Sequence, residues 1–311
     1  MIQPASRLLS VSPPTPERGR ARAPSRITLE RVNLGDIEIH LLVASRWAND
    51  GGLFFGVVPK VLWQREKPVG DDNMVDAACV CAVVRHNGRV IVCETGIGTK
   101  LSEKRAGQVK LREPEGLLTS LRPLGIRPDE VDLVLTTHLH WDHAGGFTRR
   151  SEAGDLELTF PRAKHFVQRR EWEFAMNPDA RSRAGYIADD LLPAAEAGVI
   201  EFLDGDAEIL PGVELRETGG HTPGHQVAIF RSGDLGCVVT GDLVALRPNL
   251  RLPWNLGADL DVVRVMNEKA RLLDEASRHR WLMLLSHETE NPAGYLESDG
   301  TFTPEPALQT G

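Results

Sequence analysis

The segment THLHWDHAGG, Thr137 to Gly146, sets three histidines and one aspartate within six positions and then leaves through two glycines. The whole chain of 311 residues holds only ten histidines. This cluster constrains the fold before any other feature, because side chains that share an ion need a rigid support and a sharp change of chain direction. The run DEVDLVLTTH just before it reads as a buried strand, so the cluster starts where a strand stops. Residues two apart in an extended segment point the same way, which lets His138 and His140 grip one cation; after the chain turns, Asp142 and His143 face a second. Two adjacent metal sites are the expectation, against the alternative of a polar loop with ordinary surface histidines.

A divalent site takes three or four protein groups, so further donors must come from distant segments. GGHTPGH offers His221, TGDL offers Asp242 and LLSHE offers His287, each after a predicted strand. Glu94, in VCETG, also closes a strand, where a carboxylate can accept the free N–H of a metal-bound histidine and fix its tautomer. A polar turn role is expected for His225, and surface or strand-edge positions for His40, His86, His165 and His279.

The rest of the chain reads as layered α/β. AACVCAVVRHNGRVIVCETG is two strands around Asn87-Gly88, a type I′ hairpin pair, and QVAIFRSGDLGCVVTGDLV repeats the device around Ser232-Gly233-Asp234. Both return strands end at an acid beside glycine, an echo that suggests internal duplication. Leu117, Leu118, Leu121 and Leu124 predict one helix; Val262, Val263, Met266, Ala270 and Leu273 predict another. Strands are expected near KHFVQ and WLMLLSH, and a helix near REWEFAM. Residues 1–26, rich in Pro and Arg and without a period, are expected to form a disordered arm before one globular domain over 27–311.

Composition removes several classes. A net charge of −8 disfavours a nucleic-acid surface. No segment is apolar over a bilayer's width, and the N-terminus lacks a secretion-signal core, so no membrane partner is expected. Four cysteines, Cys79, Cys81, Cys93 and Cys237, read as core thiols and suit a cytoplasmic location.

The order His-x-His-x-Asp-His, Gly-His-Thr-Pro-Gly-His, Gly-Asp and a late Ser-His resembles the metallo-β-lactamase superfamily of binuclear hydrolases over about residues 27–300. The resemblance implies an αββα sandwich of two mixed sheets. It places His138, His140 and His221 on one metal and Asp142, His143 and His287 on the other, with Asp242 bridging. Zinc is the default cation for thiol-free histidine ligation, with cobalt, manganese and iron as alternatives. DGGLFFGVVPKVLW, ETGIG and the long gap between His143 and His221 are similar to N-acyl-homoserine-lactone lactonases and methyl-parathion-hydrolase-like relatives. A lactone or ester opened by hydroxide held between two metals is therefore expected, with Asp142 or Asp242 relaying a proton to the leaving alkoxide. A homodimer is left open.

Many such lactonases carry a tyrosine three residues after the bridging aspartate, where this chain has Ala245. Tyr186 is the candidate replacement, and Phe54, Phe55, Trp63 and Trp172 are candidate pocket walls, core packing being the alternative for each. A phosphotriesterase or arylesterase would use the same centre. A nuclease would want a basic surface, and a flavin-linked di-iron protein an acid in place of His140.

Overall fold

A computed structural model describes residues 31–113 and 116–306. The expected N-terminal arm lies outside them. One seven-stranded sheet contains β1 (Arg31–Leu34), β2 (Ile37–Asp50), β3 (Met74–His86), β4 (Arg89–Cys93) and β5 (Leu133–Leu135). A small hairpin, β6 (Thr148–Arg150) and β7 (Leu156–Leu158), precedes its last members, β8 (Lys164–Gln168) and β9 (Ile200–Leu203). The second seven-stranded sheet runs in chain order: β10 (Ala207–Leu210), β11 (Val213–Glu217), β12 (Gln226–Ser232), β13 (Leu235–Val239), β14 (Leu282–Leu284), β15 (Ala293–Leu296) and β16 (Phe302–Pro304).

Alternation along the strands builds the layers. In β3, Ala77, Cys79, Cys81 and Val83 face an outer core shared with helices, while Ala78, Val80, Ala82 and Val84 face an inner core. Across that inner core lie Leu215, Ala228, Phe230 and Cys237 of the second sheet. The other face of that sheet sends Val227, Ile229, Val238 and Met283 to a third core, where the helix Val262–Arg278 packs. A strand buried on both faces must be apolar at nearly every position, which explains why β3 reads as a continuous apolar run. The result is the αββα sandwich expected from the resemblance.

The echo between halves has a structural counterpart. In each sheet an antiparallel hairpin, β3–β4 or β12–β13, is followed by a strand parallel to its second arm, β5 or β14. Asn87 and Gly88 both take positive φ, 50° and 71°, as a type I′ turn requires. All four cysteines are buried and unpaired. Among the described residues no helix is long and apolar enough to cross a membrane.

Two expectations are corrected. The buried stripe of the Val262–Arg278 helix is Val265, Lys269, Leu272, Leu273 and Ala276, leaving Val263 exposed, because a lysine inside the stripe disguises its period. His165 is fully buried, with its ring edge-on to Phe147 at 4.4 Å, and is no surface residue. His40 and His86 are buried as well.

Lys269 is compensated where it lies: its Nζ donates to Asn255 Oδ1 at 2.8 Å and to the Trp254 carbonyl at 3.0 Å. Burial pushes its pKa from 10.5 down to about 8, with Asp259 pulling the other way. A folded value below the unfolded one means that the unfolded chain binds the extra proton between those two values, so stability rises with pH across that window. Relative to Lys269→Met, the wild type should gain about 3 kcal/mol between about pH 7.5 and 11, read by urea unfolding at each pH. Parallel pH profiles would contradict this account of Lys269.

Candidate metal centre

The histidine cluster sits where the two sheets are stitched together at their strand ends. Beyond β14, Ser286 and His287 cross to the first sheet: Ala78 N–H donates to the His287 carbonyl at 3.1 Å and Val80 N–H to that of Ser286 at 2.9 Å. Beyond β5, the Thr137 carbonyl accepts Gln226 N–H at 2.8 Å, from the start of β12. His138 and His140 follow β5, His140 in extended backbone, and the helical turn Trp141–Ala144 then turns Asp142 and His143 inward. The two glycines after it answer a steric need. A Cβ on Gly145 would lie 2.3 Å from the Ile97 carbonyl oxygen, and one on Gly146 equally close to that of Thr95.

Donor atoms of His138, His140, His221 and Asp242 lie within 4.8 Å of one another, and those of Asp142, His143 and His287 form a second such group. Asp242 touches both. Its Oδ2 is 3.2 Å from His221 Nε2, and its Oδ1 is 3.0 Å from His287 Nε2 and 3.4 Å from His143 Nε2.

The outward nitrogens fix the tautomers. His287 Nδ1 donates to the Ala78 carbonyl at 2.9 Å, His143 Nδ1 to Glu94 Oε2 at 2.9 Å and His221 Nδ1 to Asp259 Oδ1 at 2.8 Å. Each Nε2 of these three rings is turned into the cluster, and His143 Nε2 faces His287 Nε2 at 3.1 Å. Nitrogens this close repel unless a proton or a metal cation lies between them, and Asp242 Oδ1 accepts no hydrogen bond among the described residues. The donor set therefore fits divalent cations.

Electrostatics agree. Burial, reinforced by neighbouring imidazoles, pushes His138 and His140 well below the usual histidine range. It acts on His143 too, but Glu94, Asp242 and Asp142 override it and hold that ring well above the range. Asp242 is held low against burial by His287, His143 and His221.

Glu94 occupies the expected place behind a histidine, with more duties than the sequence suggested. It is 2% exposed, and its Oε1 accepts Thr137 N–H at 2.8 Å while Oε2 takes the His143 proton. Its backbone is left-handed, φ 64°, a strained state that persists only where the surroundings enforce it.

Residues 75–287 match the sequence profile of the metallo-beta-lactamase superfamily. The chain belongs to this superfamily. Its relatives include an N-acyl homoserine lactonase of Bacillus cereus, 28% identical over 193 residues that cover 60% of this chain and 69% of that protein. A probable metal-dependent hydrolase from Staphylococcus aureus has the same fold, with TM-score 0.82 and 26% identity over 88% of this chain and 99% of the other. The fold is also that of AidC, a dizinc quorum-quenching lactonase solved with a product, at TM-score 0.72 and 20% identity, covering 89% and 97%. This metallo-beta-lactamase superfamily member is thus a hydrolase with lactonase homologues.

Beside the clusters the hydrolase has a cavity of about 400 Å³, whose walls include Trp47, Leu53, Phe54 and Trp141 and reach His140, Asp142, Asp242 and His287. Of the expected pocket residues only Phe54 lines it. Phe55 and Trp63 stack on each other at 4.8 Å in the outer core, the packing alternative. Trp172 turns to Phe202, 5.8 Å away. Ala245 is fully buried, its carbonyl accepting His287 N–H at 2.9 Å. Tyr186 lays its ring against His140, 5.0 Å between centroids, but its hydroxyl donates to Glu171 Oε1 at 3.2 Å and does not line the cavity.

Three supporting residues escaped the sequence reading. Asp259 orients His221 and also accepts Leu256 N–H. His225 does more than turn the chain: its Nε2 accepts the backbone N–H of Asp242 at 3.1 Å while Nδ1 donates to Thr218 Oγ1. Glu171, fully buried, accepts Leu139 N–H and Gly224 N–H, each at 3.1 Å, and so ties the first histidine loop to the loop of His221. Only its place in the REWEFAM helix, beside the wrongly chosen Trp172, pointed that way.

Glu94→Gln and Asp259→Asn, each removing one histidine's carboxylate partner, should weaken metal affinity by roughly 10- to 100-fold with the fold retained. Chelator competition with circular dichroism measures both. Unchanged affinity in either variant would return that carboxylate to a purely structural part.

Proposed function

We propose that the chain hydrolyses a lactone or ester of the acyl-homoserine-lactone type at a binuclear centre. His138, His140 and His221 would hold one cation and Asp142, His143 and His287 the other, with Asp242 within reach of both; zinc suits this donor set. The observation that carries the reading is the clustering of these seven donors, five of which, His140, Asp142, His221, Asp242 and His287, line a cavity with aromatic and aliphatic walls. Kinship with N-acyl homoserine lactonases supports it. Two divalent cations bound there would lower the pKa of water to about 7 and polarise the scissile carbonyl.

The protein's own groups supply the rest. Glu94, Asp259 and the Ala78 carbonyl hold the Nδ1–H of three imidazoles and aim their Nε2 atoms into the cluster, so no reorganisation is needed during reaction. Asp142 lines the cavity, with Oδ2 3.5 Å from His287 Nε2, and takes the position of a proton relay from attacking water to leaving alkoxide. Asp242, anchored through His225, shares the cavity floor. The apolar side of Trp47, Leu53 and Phe54 receives the acyl portion.

Among the described residues no tyrosine lines the cavity. The phenolic hydroxyl that would favour a planar lactone carbonyl over a tetrahedral phosphoryl group is therefore missing from these walls, and selectivity loosens. A phosphotriesterase or arylesterase side activity follows.

Assayed on protein of known metal content, a panel of lactones, aryl esters and phosphotriesters should show lactone turnover accompanied by measurable aryl ester or phosphotriester hydrolysis. Absence of lactone and ester turnover would overturn the reading. Ala245→Tyr, which would restore the usual tyrosine by sequence position, should instead destabilise the chain by about 1–3 kcal/mol, since the site is packed and fully buried. Denaturant unfolding measures this; a stable variant with sharpened lactone selectivity would show that position 245 does reach the substrate.

A further inference from the structure

Charge in the cavity exceeds what hydrolysis requires. Its walls hold two guanidinium groups, Arg105 and Arg181, and among the described residues its only carboxylates are Asp142 and Asp242, both committed to cations in the reading above. A chain of net charge −8 thus gathers positive charge around its reaction centre. Arg181 is largely answered at home: it donates to the carbonyls of Gly257 and Asp259, and Asp179 lies beside it.

Arg105 differs. It projects from the helix Glu103–Gln108, lies over the Trp141 ring at 4.6 Å, and spends one terminal nitrogen on the Ala184 carbonyl at 2.6 Å. No ion pair within 4.0 Å forms to it among the described residues; Asp142 and Asp190 act on it from further off, and Asp190 is already paired with Lys100 at 2.9 Å. Guanidinium carries five N–H donors in a planar fork, so most of this one remains available. The indole fixes its plane and Ala184 its direction, which lowers the entropy lost on binding an anion. Arg105 and Trp141 line the same cavity as His140 and Asp142, so the free donors share it with the reacting end.

We propose that the cavity accepts esters or lactones bearing an anionic oxyacid group, such as a carboxylate, away from the scissile carbonyl, and that Arg105 binds that group. The proposal rests on hydrolysis at the adjacent centre and names its substrate class.

The test compares 4-nitrophenyl butyrate with mono-4-nitrophenyl glutarate on metal-loaded protein, two esters that share a leaving group and differ in the charge at the acyl end. The glutarate ester should be favoured about tenfold or more in kcat/KM, the scale of a hydrogen bond to a charged group, and the preference should shrink in about 1 M salt. Arg105→Gln should bring the ratio of the two substrates close to unity, chiefly through KM for the anionic ester, and Arg105→Lys should retain part of it. Using a ratio removes any general loosening from the lost Ala184 contact. Equal or reversed preference in the wild type, or an unaltered ratio in Arg105→Gln, overturns the proposal.

Calorimetric titration with glutarate and with butyrate gives a readout independent of turnover. Glutarate should bind more tightly to the wild type, by about tenfold, and lose that advantage in Arg105→Gln. If neither ester is hydrolysed, the hydrolase reading falls, while the anion site at Arg105 still stands or falls on the titration.

Discussion

The structure depends on the join between its two sheets. Ala78 in the middle of β3 donates its N–H to His287 and receives that residue's ring proton on its carbonyl, so a strand of one sheet sets both the backbone and the tautomer of a residue from the other. Gln226 does the same work from the opposite side by bonding the Thr137 carbonyl. Separately, each half offers an incomplete set of donors: His138, His140, Asp142 and His143 from one, His221, Asp242 and His287 from the other. Only the stitched edge brings Asp242, already 3.2 Å from His221 of its own half, within reach of His143 at 3.4 Å.

That arrangement concentrates cost as well as function. Buried carboxylates, facing lone pairs and the left-handed Glu94 would each destabilise an isolated site. They persist because the three apolar cores on either side are well filled, and because nearly every outward-facing atom of the cluster has a partner. The loop that carries Asp259 is itself held by a buried lysine at the carbonyl of Trp254 and the side chain of Asn255. The support of His221 thus extends from the ring through Asp259 to Lys269 on the far helix.

Sequence made the donors legible and their supports much less so. His138, His140, Asp142 and His143 stood out through spacing, and His221, Asp242 and His287 through their places after strands. The hairpins were readable because Asn87-Gly88 and Gly233 need left-handed backbone. Asp259 and Glu171 carried no local signal, since a carboxylate's partner 38 or 32 residues away in sequence is decided by tertiary packing. Lys269 misled the helix reading because a charge normally marks a wet face. The aromatics misled the pocket reading for a related reason: Phe55 and Trp63 serve the core equally well, and only geometry separates a wall from a core.

Two cations at one stitched edge are the centre of this account, and metal stoichiometry tests it most directly. Elemental analysis of the purified chain beside His143→Ala should give close to two transition-metal ions in the wild type. The variant should hold about one, kept by His138, His140 and His221, with most hydrolysis gone. A wild type that holds one tightly bound ion and is fully active would contradict the binuclear account.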